Sequence, residues 1–322
     1  MVRPRRRLAT LGFLGLFAAP LLLAYPASAQ TPPASKRIAL VVGNSGYQNI
    51  SDLSNPRNDA SDLAAKLKGL KFEVLLATDA THARMSALLK EFTAKVTREH
   101  VALVFYAGHG VTVNRESFLL PVDTPDAIEV DDKGELKGDA ANKAMLSMAA
   151  VLAPLEAARL GIVLLDACRT NAVDAGLGMT VRLVSFGGQT RSLPVIRGTA
   201  SVEIKPSPYS AGVFRAYATQ LNNVASDGEG RNSPFTRALL KHIDTRGITI
   251  QELMIRVRKS VMEETKNQQI PWEEAALNES FSFVEAPAAA AGPNRTGPTQ
   301  GAQRPPAPAP ARNVAPAMGT GF

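Results

Sequence analysis

Val101-Ala102-Leu103-Val104-Phe105-Tyr106-Ala107-Gly108-His109-Gly110 is an apolar run that stops at a histidine between two glycines. Its β-branched and aromatic residues suit a strand covered on both faces. A second such run, Gly161-Ile162-Val163-Leu164-Leu165, leads into Asp166-Ala167-Cys168-Arg169. Two more stand upstream: Ile38-Ala39-Leu40-Val41-Val42, ending at Gly43, and Phe72 to Ala77. Helical patterns lie between them. Asn55 followed by Pro56 starts one that runs through Leu63, Leu67 and Leu70, with Asn at the cap and Pro in the first turn. Others are predicted over about 81–96 and 143–158. A fifth strand is expected near Val213 to Thr219 and a last one at Ser280–Val284. Helices are expected at about Ser233–His242 and Thr249–Thr265. Buried strands alternating with helices predict an α/β fold: a doubly wound, mostly parallel six-stranded sheet with helices on both faces.

The ends of the chain have a different character. Residues 1–29 place Arg3, Arg5, Arg6 and Arg7 before an apolar run from Leu8 to Leu23, then Ala27-Ser28-Ala29. That is the order of a signal peptide cleaved after Ala29, with an uncleaved anchor as the alternative. The expected location is the periplasm or the outside of a bacterial cell, with no stable membrane insertion after cleavage. Residues 286–322 hold 8 of the 22 prolines amid Ala, Gly and Thr. Such a segment cannot bury enough apolar surface to offset its ordering entropy, so a disordered tail is expected. The 322-residue chain has a formal charge of +7. The four N-terminal arginines and Arg295, Arg304 and Arg312 in the tail account for all of it. The remaining core, 30–285, is neutral and carries no electrostatic footprint for nucleic acid. A single cysteine excludes an internal disulfide and zinc sites that need two thiolates.

In doubly wound sheets, ligands bind at the carboxyl ends of the strands. His109 and Cys168 both stand just past such ends, 59 residues apart in sequence. A thiol becomes a strong nucleophile once deprotonated, and a nearby imidazole promotes that. Position alone leaves a plainer alternative, a small core cysteine and a loop histidine.

The local strings carry a resemblance. Tyr106-Ala107-Gly108-His109-Gly110 and Leu164-Leu165-Asp166-Ala167-Cys168-Arg169 resemble the histidine and cysteine motifs of the caspase-like cysteine proteases. An aspartate two residues before the cysteine is similar to the paracaspase and metacaspase branches rather than to animal caspases. Further stretches agree in order: Val41 to Tyr47, Leu53 to Ala60, Ser117 to Asp123, Tyr217 to Thr219 and Asp227 to Thr236. The resemblance covers about residues 36–284.

It implies an endopeptidase in which Cys168 attacks the scissile carbonyl and His109 acts as acid and base. The N–H groups of Gly110 and Cys168 would hold the oxyanion. Asp166, and by similarity Asp59, would face the pocket for the residue before the scissile bond. Two carboxylates suit a guanidinium, so cleavage after Arg is expected, with Lys second. Asp227 is a third pocket candidate, with Glu229 beside it. The alternative for Asp59 is an acid complementing a helix dipole; for Asp166 it is an acid bonding loop amides. Residues 169–211 would form an inter-subunit loop in which Arg182, Arg191, Arg197 and Lys205 offer sites for self-cleavage. No cofactor or resident metal is expected. The acids at 126, 129, 131, 132 and 135 read as a solvated loop rather than a calcium site, although calcium activates many metacaspases. The expected partners are protein or peptide substrates. The competing reading is a catalytically silent scaffold of the same fold. Gly43-x-x-Gly46 lacks the spacing of a nucleotide loop.

Overall fold

The computed structural model describes residues 35–113, 116–129, 140–167, 180–182, 212–220 and 225–286. Strands β1 (Lys36–Gly43), β2 (Glu73–Thr78), β3 (His100–Ala107), β8 (Leu160–Asp166), β10 (Val213–Tyr217) and β11 (Trp272–Ala275) form one sheet. Their order is β11-β10-β8-β3-β1-β2, parallel except for β11. Because side chains alternate along a strand, each buried strand feeds two cores. Ala39, Val41, Leu103 and Phe105 pack in one cluster with residues of α1 (Pro56–Gly69), α5 (Pro234–His242) and α6 (Ile250–Glu264). Ile38, Leu40, Val42 and Val104 pack in the other with α2 (His82–Lys95) and α4 (Met148–Glu156). This is the doubly wound arrangement that the apolar runs predict.

Four local expectations are corrected. The final strand is Trp272–Ala275, not Ser280–Val284. Phe281 and Phe283 are buried, but against Arg37 and Phe72 at the side of the sheet. Their alternation therefore reports burial without pairing. β11 is polar, and its charges are placed: Arg258 bonds Glu273 and the Pro271 carbonyl, while Arg215 lies 3.8 Å from Glu274.

The helix expected over 143–158 is broken. A short helix α3 (Ala140–Ala144) precedes strand β7 (Leu146–Ser147), and Ser147 then caps α4 by accepting the Ala150 N–H. β7 adds to the hairpin of β4 (Gly110–Val113) and β5 (Glu116–Leu119), a small sheet that the sequence reading lacked. Within the stretch read as irregular, Thr180–Arg182 forms β9, paired with β6 (Ala127–Glu129). Finally, Asn55 stands at the start of α1 without a side-chain cap bond there. Its amide is engaged elsewhere, as described below.

Gly43 sits where β1 meets α1. A Cβ there would lie 2.1 Å from the Pro56 carbonyl oxygen, so the close helix–strand contact requires glycine.

Candidate active site

Strand order reverses between β1 and β3, the place where an open α/β sheet leaves a crevice at its carboxyl edge. Three segments reach it: 44–55 after β1, 108–109 after β3, and Ala167 after β8. The last rung between β3 and β8 pairs Ala107 with Asp166, and Gly108 N–H donates to the Asp166 carbonyl at 3.3 Å. The histidine and cysteine motifs thus leave the sheet from one rung. Cys168 itself lies outside the described residues, as do Arg191, Arg197 and Lys205.

His109 is fully buried and held at every backbone polar atom. Its N–H donates to the Tyr47 hydroxyl at 2.8 Å. Its carbonyl accepts from the Tyr106 hydroxyl at 2.7 Å and from Leu120 N–H at 3.1 Å. The Tyr47 ring lies against the imidazole, with centroids 4.7 Å apart and planes tilted by 48°. Nε2 lies 2.9 Å from the Ser51 carbonyl oxygen. A carbonyl only accepts, so Nε2 carries a hydrogen and Nδ1 is the nitrogen suited to exchange a proton with a nucleophile. Ser51 thus orients the imidazole through its backbone carbonyl. No sequence motif could show this, because any residue has that carbonyl. Tyr47 and Tyr106 lie within the quoted motifs, and only the fold shows that they meet His109. Gly110 opens β4 opposite Leu119.

The 44–55 loop is itself pinned. Asn44 accepts the Ala80 N–H at 2.9 Å and donates to the Leu120 carbonyl at 2.9 Å. Asp79 accepts from Ser45 and Gly46 N–H groups at 2.8 and 2.9 Å and pairs with Arg57 at 2.9 Å. Tyr47 N–H donates to Asp52 at 2.8 Å.

The three acids read from sequence are all buried. Asp166 Oδ2 accepts from the hydroxyls of Ser233 and Thr236, the latter at 2.6 Å. Asp59 Oδ1 accepts the Ser233 N–H at 3.0 Å. These two carboxylates, far apart in sequence, therefore converge on Ser233, the N-cap of α5. Asp227 instead accepts at both oxygens from the start of α1: from Ser54 N–H at 2.6 Å and Asn55 N–H at 3.3 Å. Glu229 is exposed. Beside the cluster, Arg231 grips Asp62 with bonds of 2.8 and 2.9 Å, and that side-chain bond holds the Asp62 carboxyl below its ordinary value. Among the described residues, no group of three or more His, Cys, Asp or Glu is arranged to hold a metal ion. Among them, too, no helix is long and apolar enough to cross a membrane.

Comparison with known proteins bears on this geometry. The family model described as "Caspase domain" matches residues 36–282. The human mucosa-associated lymphoid tissue lymphoma translocation protein 1 is 28% identical over 195 residues, covering 58% of this chain and 22% of that protein. Its mouse homolog is 28% identical over the same length, with 21% of that protein covered. The chain thus spans about a fifth of the length of these curated relatives.

Proposed function

The chain belongs to the caspase domain family of cysteine peptidases, and we propose that it is an endopeptidase that cuts after basic residues, arginine before lysine. The observation that carries this reading is that β3 and β8 end on one rung, which brings His109 and the buried Asp166 to the same edge of the sheet. Cys168 attacks the scissile carbonyl as a thiolate. His109, oriented through Nε2, takes the thiol proton at Nδ1 and returns it to the leaving amine. The N–H groups of Gly110 and Cys168 hold the oxyanion, a contribution of about 2.7–4 kcal/mol for one good donor.

Asp166 and Asp59 grip the substrate guanidinium. Both bond to Ser233, and two like charges gathered at one residue are best relieved by a cation between them. Arginine fits better than lysine because its planar fork can meet two carboxylates at once. The signal at residues 1–29 sends this activity out of the cytoplasm, into a bacterial periplasm or beyond.

The test is hydrolysis of fluorogenic peptides ending in Arg, Lys or Asp, with and without calcium. Cys168→Ala and Asp166→Asn are run alongside. Arg cleavage that disappears in Cys168→Ala and falls steeply in Asp166→Asn is the expected result. Cleavage after Asp would overturn the pocket assignment. Silence on all three peptides would favour a scaffold of the same fold.

A further inference from the structure

We propose that Asp227 is a positioning residue for His109, acting through the turn before α1, rather than a wall of the arginine pocket. The kinetic part of this rests on the peptidase reading above; the structural part does not. Both Asp227 oxygens accept main-chain N–H groups, from Ser54 at 2.6 Å and Asn55 at 3.3 Å. The bonds also run the other way. Asn55 Nδ2 donates to the Asp227 carbonyl at 2.6 Å and to the Gly228 carbonyl at 3.2 Å. The Asn55 NH2 is thus committed to the 227–228 segment, and the side chain makes no cap bond in its own helix. Both carboxylate oxygens are thus turned to the main chain before α1, in a residue that is buried.

What the clamp holds is the path to the imidazole. Ser51, whose carbonyl takes the His109 Nε2–H at 2.9 Å, lies three residues before Ser54. Between them the turn is closed by Leu53 N–H donating to the Ser45 carbonyl at 3.0 Å. Tyr47 N–H donating to Asp52 at 2.8 Å closes it again. With these closures, a shift at Ser54–Asn55 moves Ser51 and the Tyr47 ring together. Asp227, 118 positions after His109 in sequence, thereby sets which ring nitrogen carries the hydrogen. Mutants of acid–base orientation lower kcat, whereas mutants of substrate binding raise KM.

The experiment compares the full chain with Asp227→Asn, Asp227→Glu and Asn55→Ala. In Asp227→Asn an NH2 replaces one acceptor and faces a main-chain N–H. Two readouts are taken: kcat and KM on Arg and Lys peptides, and 15N spectra of the His109 ring, identified by their loss in His109→Gln. Asp227→Asn is expected to lower kcat by about tenfold or more, a share of the 10²–10⁴ that positioned acid–base groups supply. KM and the Arg-to-Lys preference should stay within about twofold. The ring should lose its single Nε2–H tautomer. Asp227→Glu, which keeps two acceptor oxygens, should recover part of both. Asn55→Ala, which leaves the carboxylate in place, should move both the same way by less. A raised KM for Arg peptides, a collapsed Arg-to-Lys preference and an unchanged ring spectrum would overturn the proposal and make Asp227 a pocket wall. If the wild type cleaves neither peptide, the arginine reading fails by itself. The ring spectra then decide: a changed tautomer in Asp227→Asn and Asn55→Ala supports the clamp, and an unchanged one overturns it.

Discussion

A methyl group on Gly108 would lie 2.6 Å from the Tyr106 hydroxyl and 2.7 Å from the Tyr47 hydroxyl. Those two oxygens are the ones that hold the His109 backbone. Gly108 also has φ +152, which L side chains rarely adopt. Gly108→Ala should therefore cost about 1–3 kcal/mol, the usual range for overpacking a filled interior. Its effect on kcat should be larger than its effect on stability, because the displaced atoms are those that hold the His109 backbone. Urea titration beside peptide kinetics checks this; a variant with normal kcat would contradict the role given to the two tyrosines. The glycine and histidine were legible in the sequence. The clash that makes the glycine necessary was not, since Tyr47 comes from another loop.

At the scale of elements, the apolar strands and the capped helices were readable because their signals are local. Thr249 and Glu252 form a complete capping box at the start of α6, and Ser233 caps α5. The last strand was not readable. Trp272-Glu273-Glu274-Ala275 has no apolar run, and it becomes a strand because β10 offers an edge and Arg258 and Arg215 meet its acids. Phe281-Ser282-Phe283 has a strand's alternation, yet it packs edge-on, with its two rings 5.0 Å apart. Arg37 Nη1 donates to the Phe283 carbonyl at 2.7 Å. Phe283→Ala should thus destabilise by about 3–5 kcal/mol, as for a buried aromatic in a core, although it lies outside every regular element. Chemical denaturation measures it; a loss below about 1 kcal/mol, the level of a surface substitution, would mean that this segment is not part of the core.

For the whole molecule, titrating groups give a slope of stability with pH. Burial, with Lys241 and Arg256 adding to it, lowers the pKa of His242 from its ordinary 6.5. The folded state then resists a proton that the unfolded chain accepts, so this contribution is complete above 6.5 and is lost as the pH falls. Asp62 and Asp244 are held below their ordinary 3.8 by side-chain bonds from Arg231 and Lys66. Their contribution is present above 3.8 and lost on further acidification. The midpoint of thermal unfolding should fall from pH 7.5 to 3, first modestly and then steeply. His242→Gln should flatten the first part only, and a midpoint that rises between pH 7 and 5 would contradict the assignment. By itself, the sequence determined the alternating α/β order, the His109–Cys168 spacing and the neutral core, because each is written in neighbouring residues or in a sum over the chain. The tertiary structure decided what no stretch of chain contains: the Ser51 carbonyl on Nε2, the convergence of Asp59 and Asp166 on Ser233, and the Asp227 clamp on Asn55. Those contacts join segments up to 174 positions apart and often use backbone atoms. Backbone atoms are the same in every residue, so only the folded path of the chain gives them a partner.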